Sequence, residues 1–157
     1  MDMTGEERIP VSRDVVWAAL NNPNVLRKCI TNCDKLERKS PTEFDAAVKM
    51  KVGPISTTFK GQITLTNIVD DVSYTMNVEG QGGIAGSAKG TCDVALSDDG
   101  EGTLLTYTVK AQIAGKLALL GSKMIDTSSK KLAAGFFVKF NRIVAKRAAR
   151  QAENGDE

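Results

Sequence analysis

A glycine-rich segment is the first stretch of the sequence that could do chemistry. Residues 80–85 read G-Q-G-G-I-A, which satisfies the alanine-ended form of the G-x-G-x-x-G pattern that binds dinucleotide phosphates. Such a site needs a strand before the glycines and a helix directly after them, so that the pyrophosphate meets the helix N-terminus. Residues 73–78 supply a strand pattern, but residues 88–96 alternate as a second strand. The segment is therefore predicted to be a hairpin and not a nucleotide-binding loop.

The glycines of this hairpin have a structural interpretation. Glycine at the end of a strand usually marks a bulge, a sharp bend or the close approach of another group. We expect the hairpin to bend strongly and leave space beneath it, so that four glycines form the rim of a cavity: Gly80, Gly82, Gly83 and Gly86. Simple flexibility of the hairpin is the alternative.

The chain of 157 residues contains no histidine. This removes the usual activation of serine and cysteine nucleophiles, the commonest general base, and most zinc and iron sites. Residues 128–131 match the serine-acylation motif S-x-x-K, but the S-D-N and K-T-G elements that accompany this motif do not follow. We therefore predict no catalytic residue and no metal site.

The three cysteines are predicted to act as small buried hydrophobic residues. Zinc held by Cys29, Cys33 and Cys92 with a carboxylate or a water is the alternative. Their low, odd number favours a reducing cytoplasm over a disulfide framework. The acidic N-terminus lacks the apolar segment of a signal peptide, and no apolar run is long enough for a spanning helix.

Alternation of apolar and polar residues predicts an antiparallel sheet with one wet face. A first strand at 2–9 precedes a helix at 13–20 that is capped by Ser12, and a second short helix follows at 24–30. Trp17 is expected to pack the first helix on the sheet. Further strands are predicted near residues 44–52, 59–66, 74–78, 88–96 and 105–113.

At Lys116 the apolar period becomes that of a helix, and one long amphipathic helix is predicted from there. One strand, two short helices, a strand meander and a long C-terminal helix predict an α+β fold and not a doubly wound sheet. Apolar content of 41% and charged content of 25% are ordinary for a single globular domain, which is assigned to residues 1–150. Residues 151–157 are expected to form a disordered polar tail.

Five segments together resemble the CoxG family, an accessory component of aerobic carbon monoxide dehydrogenase. They are NNPNVLRKCITNCDKLER (21–38), VGPI (52–55), FKG (59–61), GQGGIAGSAKG (80–90) and TLLTYTVKAQIAGKLALLGSKMI (103–125). The resemblance extends from Met1 to Phe140 and departs from the family at residues 30–33, which read I-T-N-C where I-P-G-C is common. Many members continue past the long helix into a linker and a membrane-binding end. This chain stops at Glu157, so an anchoring extension is expected to be missing.

The resemblance implies the helix-grip fold of the START-like (SRPBCC) superfamily, in which a highly curved antiparallel sheet wraps around the long helix. Such folds keep an apolar cavity between the helix and the sheet. Together with the inward apolar positions of the strands, this predicts a ligand cavity lined by Val48, Met50, Phe59, Gly61, Ile63, Met76, Val94, Leu105, Tyr107, Val109, Leu120, Met124, Ser128 and Phe136.

The resemblance also implies a non-catalytic partner of a molybdenum- and flavin-containing carbon monoxide dehydrogenase. We expect a cytoplasmic protein, peripheral on the inner face of the cell membrane, that binds a hydrophobic small molecule and holds no covalent cofactor. The expected ligand is a respiratory quinone of the menaquinone or ubiquinone type, because the enzyme's electrons must reach the membrane. Exposing the isoprenoid tail of such a quinone to water costs about 0.8 kcal/mol per CH₂.

Two other functions stay open. The protein could be a membrane-recruitment adaptor with no functional ligand, or a START-like lipid-binding or cyclase-type enzyme with acids or bases inside the cavity. Tyr107 is the main polar residue that we assign to the inner face. The carboxylates Glu43, Asp45 and Asp93 fall on the wet face, which disfavours the enzyme.

The last part of the chain is strongly basic. Residues 116–150 hold nine basic residues and one acid, Asp126. We expect this helix end to contact an anionic membrane surface or an acidic partner through Lys139, Arg142, Lys146, Arg147 and Arg150. A solvated outer face of a core helix is the alternative. Nucleic acid is not expected as a partner, because the aromatic residues do not alternate with the basic ones.

Overall fold

The computed structural model describes residues 1–155, which form seven strands and three α-helices. In chain order these are β1 Asp2–Ile9, α1 Arg13–Leu20, α2 Pro23–Cys29, β2 Cys33–Ser40, β3 Glu43–Val52, β4 Ile55–Val69, β5 Ser73–Gln81, β6 Ser87–Asp99, β7 Gly102–Ala114 and α3 Ser122–Gly155. Two 3₁₀ segments, Gly83–Ala85 and Gly115–Leu120, are called the 83–85 turn and the 115–120 turn.

The strands form one antiparallel sheet in the order β1-β7-β6-β5-β4-β3-β2. Strands β2 to β7 follow one another as a meander, and β1 returns to pair with β7. The sheet curves around α3, with α1 and α2 between β1 and β2. The predicted α+β helix-grip architecture is confirmed.

One end of the inner sheet face, which is the face toward α3, is tightly packed. At this closed end, α1, α2 and the C-terminal half of α3 contribute Val16, Val25, Phe140 and Val144, all fully or almost fully buried. Burying each such side chain stabilises the fold by about 1.5–3 kcal/mol. The Trp17 ring packs edge-on against Tyr74 of β5, with 5.4 Å between ring centroids, as expected for helix-on-sheet packing.

The two short helices begin in different ways. Asn22 caps α2, since its side-chain oxygen accepts a hydrogen bond from the Asn24 backbone N–H at 3.0 Å, and Pro23 occupies the first helical position. Ser12 does precede α1, but its hydroxyl donates to the Asp14 carboxylate and caps no backbone group. That hydrogen bond lowers the pKa of Asp14 below its ordinary value.

Three parts of the chain differ from the sequence expectations. The pattern did not predict β2, where Leu36 is the only fully buried residue. Residues 115–120 form a 3₁₀ turn separated from α3 by Gly121 at φ 87°, so the long helix does not begin at Lys116. The helix continues to Gly155, so residues 151–155 of the expected tail are helical, and residues 156–157 lie outside the described residues.

Candidate ligand-binding site

The middle of the inner sheet face carries very short side chains. The strand register aligns one row across five strands: Ile113, Ala88, Gly80, Gly61 and Ala46. The neighbouring row begins with Ala111 and Gly90. Glycine and alanine cannot fill space between a sheet and a facing helix, so this band favours a hollow at that place.

Larger apolar residues surround this band on the half of the sheet away from the closed end. Val48, Met50, Phe59 and Val109 point to the inner face, and each is only half-buried. We call this half of the inner face the open end, where the β3–β4, β5–β6 and β7–α3 connections lie. Its apolar side chains therefore retain surface that a ligand could cover.

The first half of α3 lies over the open end. Met124 contacts the β3–β4 turn, where a Cβ on Gly53 would lie 2.4 Å from the Met124 sulfur. At the opposite edge of the sheet, next to β1, the Ser129 hydroxyl donates a hydrogen bond to the sulfur of Met1 at 3.2 Å. The apolar side chains here are poorly covered, with Met124 39% and Leu132 42% exposed. The helix thus spans the sheet without sealing the space beneath it.

The predicted lining residues divide between the two ends. Val94 and Leu105 belong to the packed core at the closed end, and Leu105 is only 1% exposed. Ile63, Met76, Tyr107 and Phe136 are half-buried at the border of that core. The rest lie at the open end or over it: Val48, Met50, Phe59, Gly61 and Val109 on the sheet, Leu120 in the 115–120 turn, and Met124 and Ser128 on α3.

Tyr107 lies at the border between the two ends. Its ring stacks on Phe137 of α3, with 5.7 Å between centroids, and passes over Gly5 of β1. Any Cβ on Gly5 would lie 2.3 Å from the phenol oxygen, so this packing requires glycine. Burial, followed by the negative charge of Glu7, raises the pKa of the Tyr107 phenol, which therefore stays a neutral hydrogen-bond donor.

Two charged residues share the inner face, which the sequence reasoning missed. Glu7 pairs with Leu105 and so points to the same side as Ile9 and Tyr107. The β1 alternation that buries Ile9 was the signal for it. Arg38 pairs with Phe44 on the edge of the closed end, and its guanidinium lies 5.2 Å from the centre of that ring. The inner face is therefore less uniformly apolar than predicted.

The four predicted rim glycines lie at the open end. Gly80 belongs to β5, and Gly82 precedes the 83–85 turn, which is tied to β4 by a hydrogen bond from the Thr57 hydroxyl to the Gly82 carbonyl at 2.9 Å. Gly83 and Gly86 have φ of 62° and 117°, a backbone region that favours glycine. Strand β6 follows directly, so no helix N-terminus is available for a phosphate.

The cysteines are free thiols with raised pKa values. Burial raises the pKa of Cys29 and Cys33, and it raises that of Cys92 to about 11. Within residues 1–155, no cluster of three or more histidine, cysteine, aspartate or glutamate side chains is placed to hold a metal ion. Among the same residues, no helix is long and apolar enough to cross a membrane.

The outer face of the sheet carries a different kind of hollow. It has a volume of about 710 Å³ and is lined by charged and polar residues that include Lys35, Asp45, Lys60 and Glu79. Four residues of the glycine and alanine band also line it: Ala46, Gly61, Gly80 and Ala88. Asp45 is half-buried there and pairs with Lys39 at 2.9 Å, whereas Glu43 and Asp93 are exposed on the same face. A polar, open surface of this kind does not suit a hydrophobic ligand.

Solved structures share this arrangement along almost the whole chain. A conserved protein from Geobacillus kaustophilus matches with a TM-score of 0.87 and 28% identity, over 93% of this chain and 96% of that one. A START superfamily protein from Mycobacterium smegmatis matches with a TM-score of 0.70 and 9% identity, over 92% and 97%. A protein from Thermus thermophilus matches with a TM-score of 0.69 and 11% identity, over 94% and 99%.

The curved antiparallel sheet and the long C-terminal helix define the START-like, helix-grip fold. The family model of CoxG, the G subunit of carbon monoxide dehydrogenase, matches residues 5–145. The chain belongs to the CoxG family, as its sequence segments predicted. No curated protein sequence matches it.

Proposed function

We propose that this protein is a non-catalytic accessory subunit of a carbon monoxide dehydrogenase and that it binds a hydrophobic ligand at the open end. The observation that carries the proposal is the set of half-buried apolar side chains around a band of glycine and alanine, beneath a helix that leaves them partly uncovered. Apolar surface exposed on two facing elements is unfavourable in water, and an apolar ligand between them would remove it. The family name supports the accessory role.

A respiratory quinone with an isoprenoid tail is the proposed ligand. No lysine or arginine is found among the inner-face residues of the open end, which argues against a charged metabolite. A quinone ring needs one or two hydrogen-bond donors. The neutral Tyr107 phenol, the Ser128 hydroxyl or a backbone N–H of the glycine-rich hairpin could provide them. The protein would then carry the quinone between the dehydrogenase and the inner face of the cytoplasmic membrane.

The arrangement gives less support to an enzyme. Acid–base chemistry would need two ionisable groups with shifted pKa values in the site. The pKa of the inward Tyr107 phenol is raised, which keeps this group from acting as a base at neutral pH. A membrane adaptor without a functional ligand is the remaining alternative, and it predicts no specific ligand binding at the open end.

The test is a titration of the purified protein with a water-soluble quinone and, in parallel, with a fatty acid of similar bulk. We expect the quinone to bind. Val109→Trp should weaken that binding by more than about tenfold, because the indole would fill the hollow between sheet and helix. Leu105→Trp is less useful, since Leu105 is part of the packed core and its replacement would disturb the fold.

Lys110→Trp is the matched control. Lys110 is the next residue on β7 and is exposed on the outer face, so an indole there leaves the hollow unchanged. Equal affinity of the Val109→Trp and Lys110→Trp proteins for quinone would place the ligand elsewhere. Binding of the fatty acid without the quinone would remove the electron-transfer part of the proposal and keep the hydrophobic site.

A further inference from the structure

Two large apolar side chains project from the open end into solvent. Ile84 in the 83–85 turn and Leu119 in the 115–120 turn are each 85% exposed, more than any other large hydrophobic residue among those described. Exposed single apolar residues are common on protein surfaces. Ile84 and Leu119 differ from such scattered residues because each lies in a short turn whose neighbouring residues are held in place by burial.

Each turn is anchored by a buried residue and by contact with the other turn. Ala85 is buried next to Ile84, and Leu117 is buried two residues before Leu119. The turns meet where Gly86 approaches Gly115 and the carbonyl of Ala114 so closely that a Cβ on Gly86 would lie 1.9 Å from that oxygen. The two apolar tips are therefore held side by side on an ordered support.

Charge is distributed unevenly between the two ends of the sheet. The segments 46–69, 80–92 and 102–125, which contain the three connections at the open end, hold no aspartate or glutamate. The turns at the other end carry five acids: Asp70, Asp71, Asp98, Asp99 and Glu101. The acids Asp2, Glu79 and Asp126 border these segments. The three connections themselves are therefore the part of this end that an anionic surface would attract.

Exposed lysines lie close to the apolar tips. Lys51 precedes the β3–β4 turn, and Lys116 and Lys123 flank the apolar part of the 115–120 turn. In the part of the chain that the structure describes, none of these three lysines forms an ion pair. Their charges are therefore available to an external partner.

We propose that Ile84 and Leu119 insert into the headgroup region of an anionic lipid bilayer while Lys51, Lys116 and Lys123 contact its phosphates. Apolar side chains flanked by lysine are typical of a protein that lies on a membrane surface. A protein partner fits less well, because the cores of protein interfaces are depleted in lysine and enriched in aromatic residues, and these tips have no aromatic residue. The open end would then face the lipid, so a ligand could pass between bilayer and hollow. In this respect the inference rests on the proposed function.

The experiment is flotation of the purified protein with quinone-free vesicles at physiological salt. One set of vesicles contains phosphatidylcholine with phosphatidylglycerol, and the other contains phosphatidylcholine alone. We expect wild-type protein to float with the anionic vesicles and much less with the neutral ones. Ile84→Ser and Leu119→Ser should each lower the bound fraction, and each should weaken partitioning by about tenfold.

Val138→Ser is the matched control, since Val138 is also an exposed apolar residue but lies at the middle of α3, about 24 Å along the helix from Ser122. It should float like wild type. Unchanged flotation of the Ile84→Ser/Leu119→Ser protein, or equal losses in the control, would overturn the proposal. Quinone titration without vesicles separates the two ideas. If the double variant binds quinone but not vesicles, the docking surface is supported. If the wild-type protein floats, the double variant does not, and neither binds quinone, only the proposed ligand is refuted.

Discussion

At the scale of single residues, the glycines of the hairpin serve different purposes. Gly90 lies where the backbones of β6 and β7 approach, since a Cβ there would lie 2.3 Å from the Lys110 carbonyl oxygen and 2.9 Å from the Ala111 Cα. Gly80 has room for a side chain, because the nearest atom to its added Cβ is Phe59 Cδ1 at 3.6 Å. Only some of these glycines are therefore required by the backbone.

This difference gives a stability prediction. Gly90→Ala should lower the free energy of unfolding by about 1–3 kcal/mol or more, because the methyl group would overlap backbone atoms that cannot move aside. Gly80→Ala is the control within the same hairpin and should change it by less than about 1 kcal/mol. Urea unfolding followed by circular dichroism measures both. Equal effects of the two substitutions would contradict the conclusion that the backbone requires glycine at position 90 but not at position 80.

Residue identity alone could predict part of this site. Apolar alternation placed Val48, Phe59 and Val109 on the inner face, and the register confirms that they share it. It could not place Val94 and Leu105 in the packed core, because alternation gives the face of a residue but not its distance from the closed end. Glu7 was missed because β1 has only two large apolar residues, Met3 and Ile9, so the alternation that marks its inner side is weak.

At the scale of secondary structure, the predictions of the 115–120 turn and of β2 were wrong because the sequence pattern at each place fits more than one structure. Leu117 and Leu120 are three residues apart, a spacing compatible with both a 3₁₀ turn and an α-helix, and Gly121 ends the turn only through its positive φ. Strand β2 is an edge strand, and seven of its eight residues are exposed or half-buried. Charged residues protect such an edge from pairing with other chains. The same charged residues hide the apolar alternation by which a strand is predicted.

Helix α3 has two halves with different surroundings. Its first half lies over the open end, and its second half buries Phe140 and Val144 at the closed end while Arg142, Lys146, Arg147 and Arg150 are exposed. Lys139 is half-buried, and its ammonium group donates to the Thr31 hydroxyl at 3.3 Å. At 1.5 Å per residue, Arg142 lies about 30 Å along the helix from Ser122.

We predict that this basic end binds an acidic surface of the dehydrogenase. Changing Arg142, Lys146 and Arg150 together to glutamine should weaken binding and flatten its salt dependence, since exposed ion pairs contribute about 0.2–1 kcal/mol each and are screened by salt. The control changes Lys130 and Lys131, which are exposed on the first half of the helix. Surface plasmon resonance at low and physiological salt measures the effect. If the affinity of the wild-type protein were the same at low and physiological salt, the prediction would be contradicted.

At the scale of the whole molecule, no histidine is present to titrate near neutral pH. Two buried, neutral groups link folding to alkaline pH. Burial raises the pKa of Cys92 from 9.0 to about 11 and raises that of Tyr74 strongly. Because the unfolded chain ionises these groups at lower pH than the folded one, their contribution to stability is complete below about pH 9 and is lost as pH rises above it.

The resulting prediction concerns alkaline stability. At about pH 10 the Cys92 thiol alone should reduce the free energy of unfolding by about 1 kcal/mol relative to neutral pH. The variant Cys92→Ala should start from a lower stability, because it loses buried contacts, but should lose less between these two pH values. Urea unfolding of both proteins at neutral pH and at about pH 10 is the measurement. Parallel losses would show that another group controls the response.

The contact between Trp17 and Tyr74 determines what optical spectroscopy can observe in this protein. Trp17 is the only tryptophan, and its ring lies at the closed end, among residues that separate only when the core opens. A change in the position of its emission maximum therefore reports the loss of the packed core. Occupancy of the open end would leave that position nearly constant. Unfolding followed by fluorescence therefore reports on the closed end. A ligand titration followed by quinone absorbance reports on the open end.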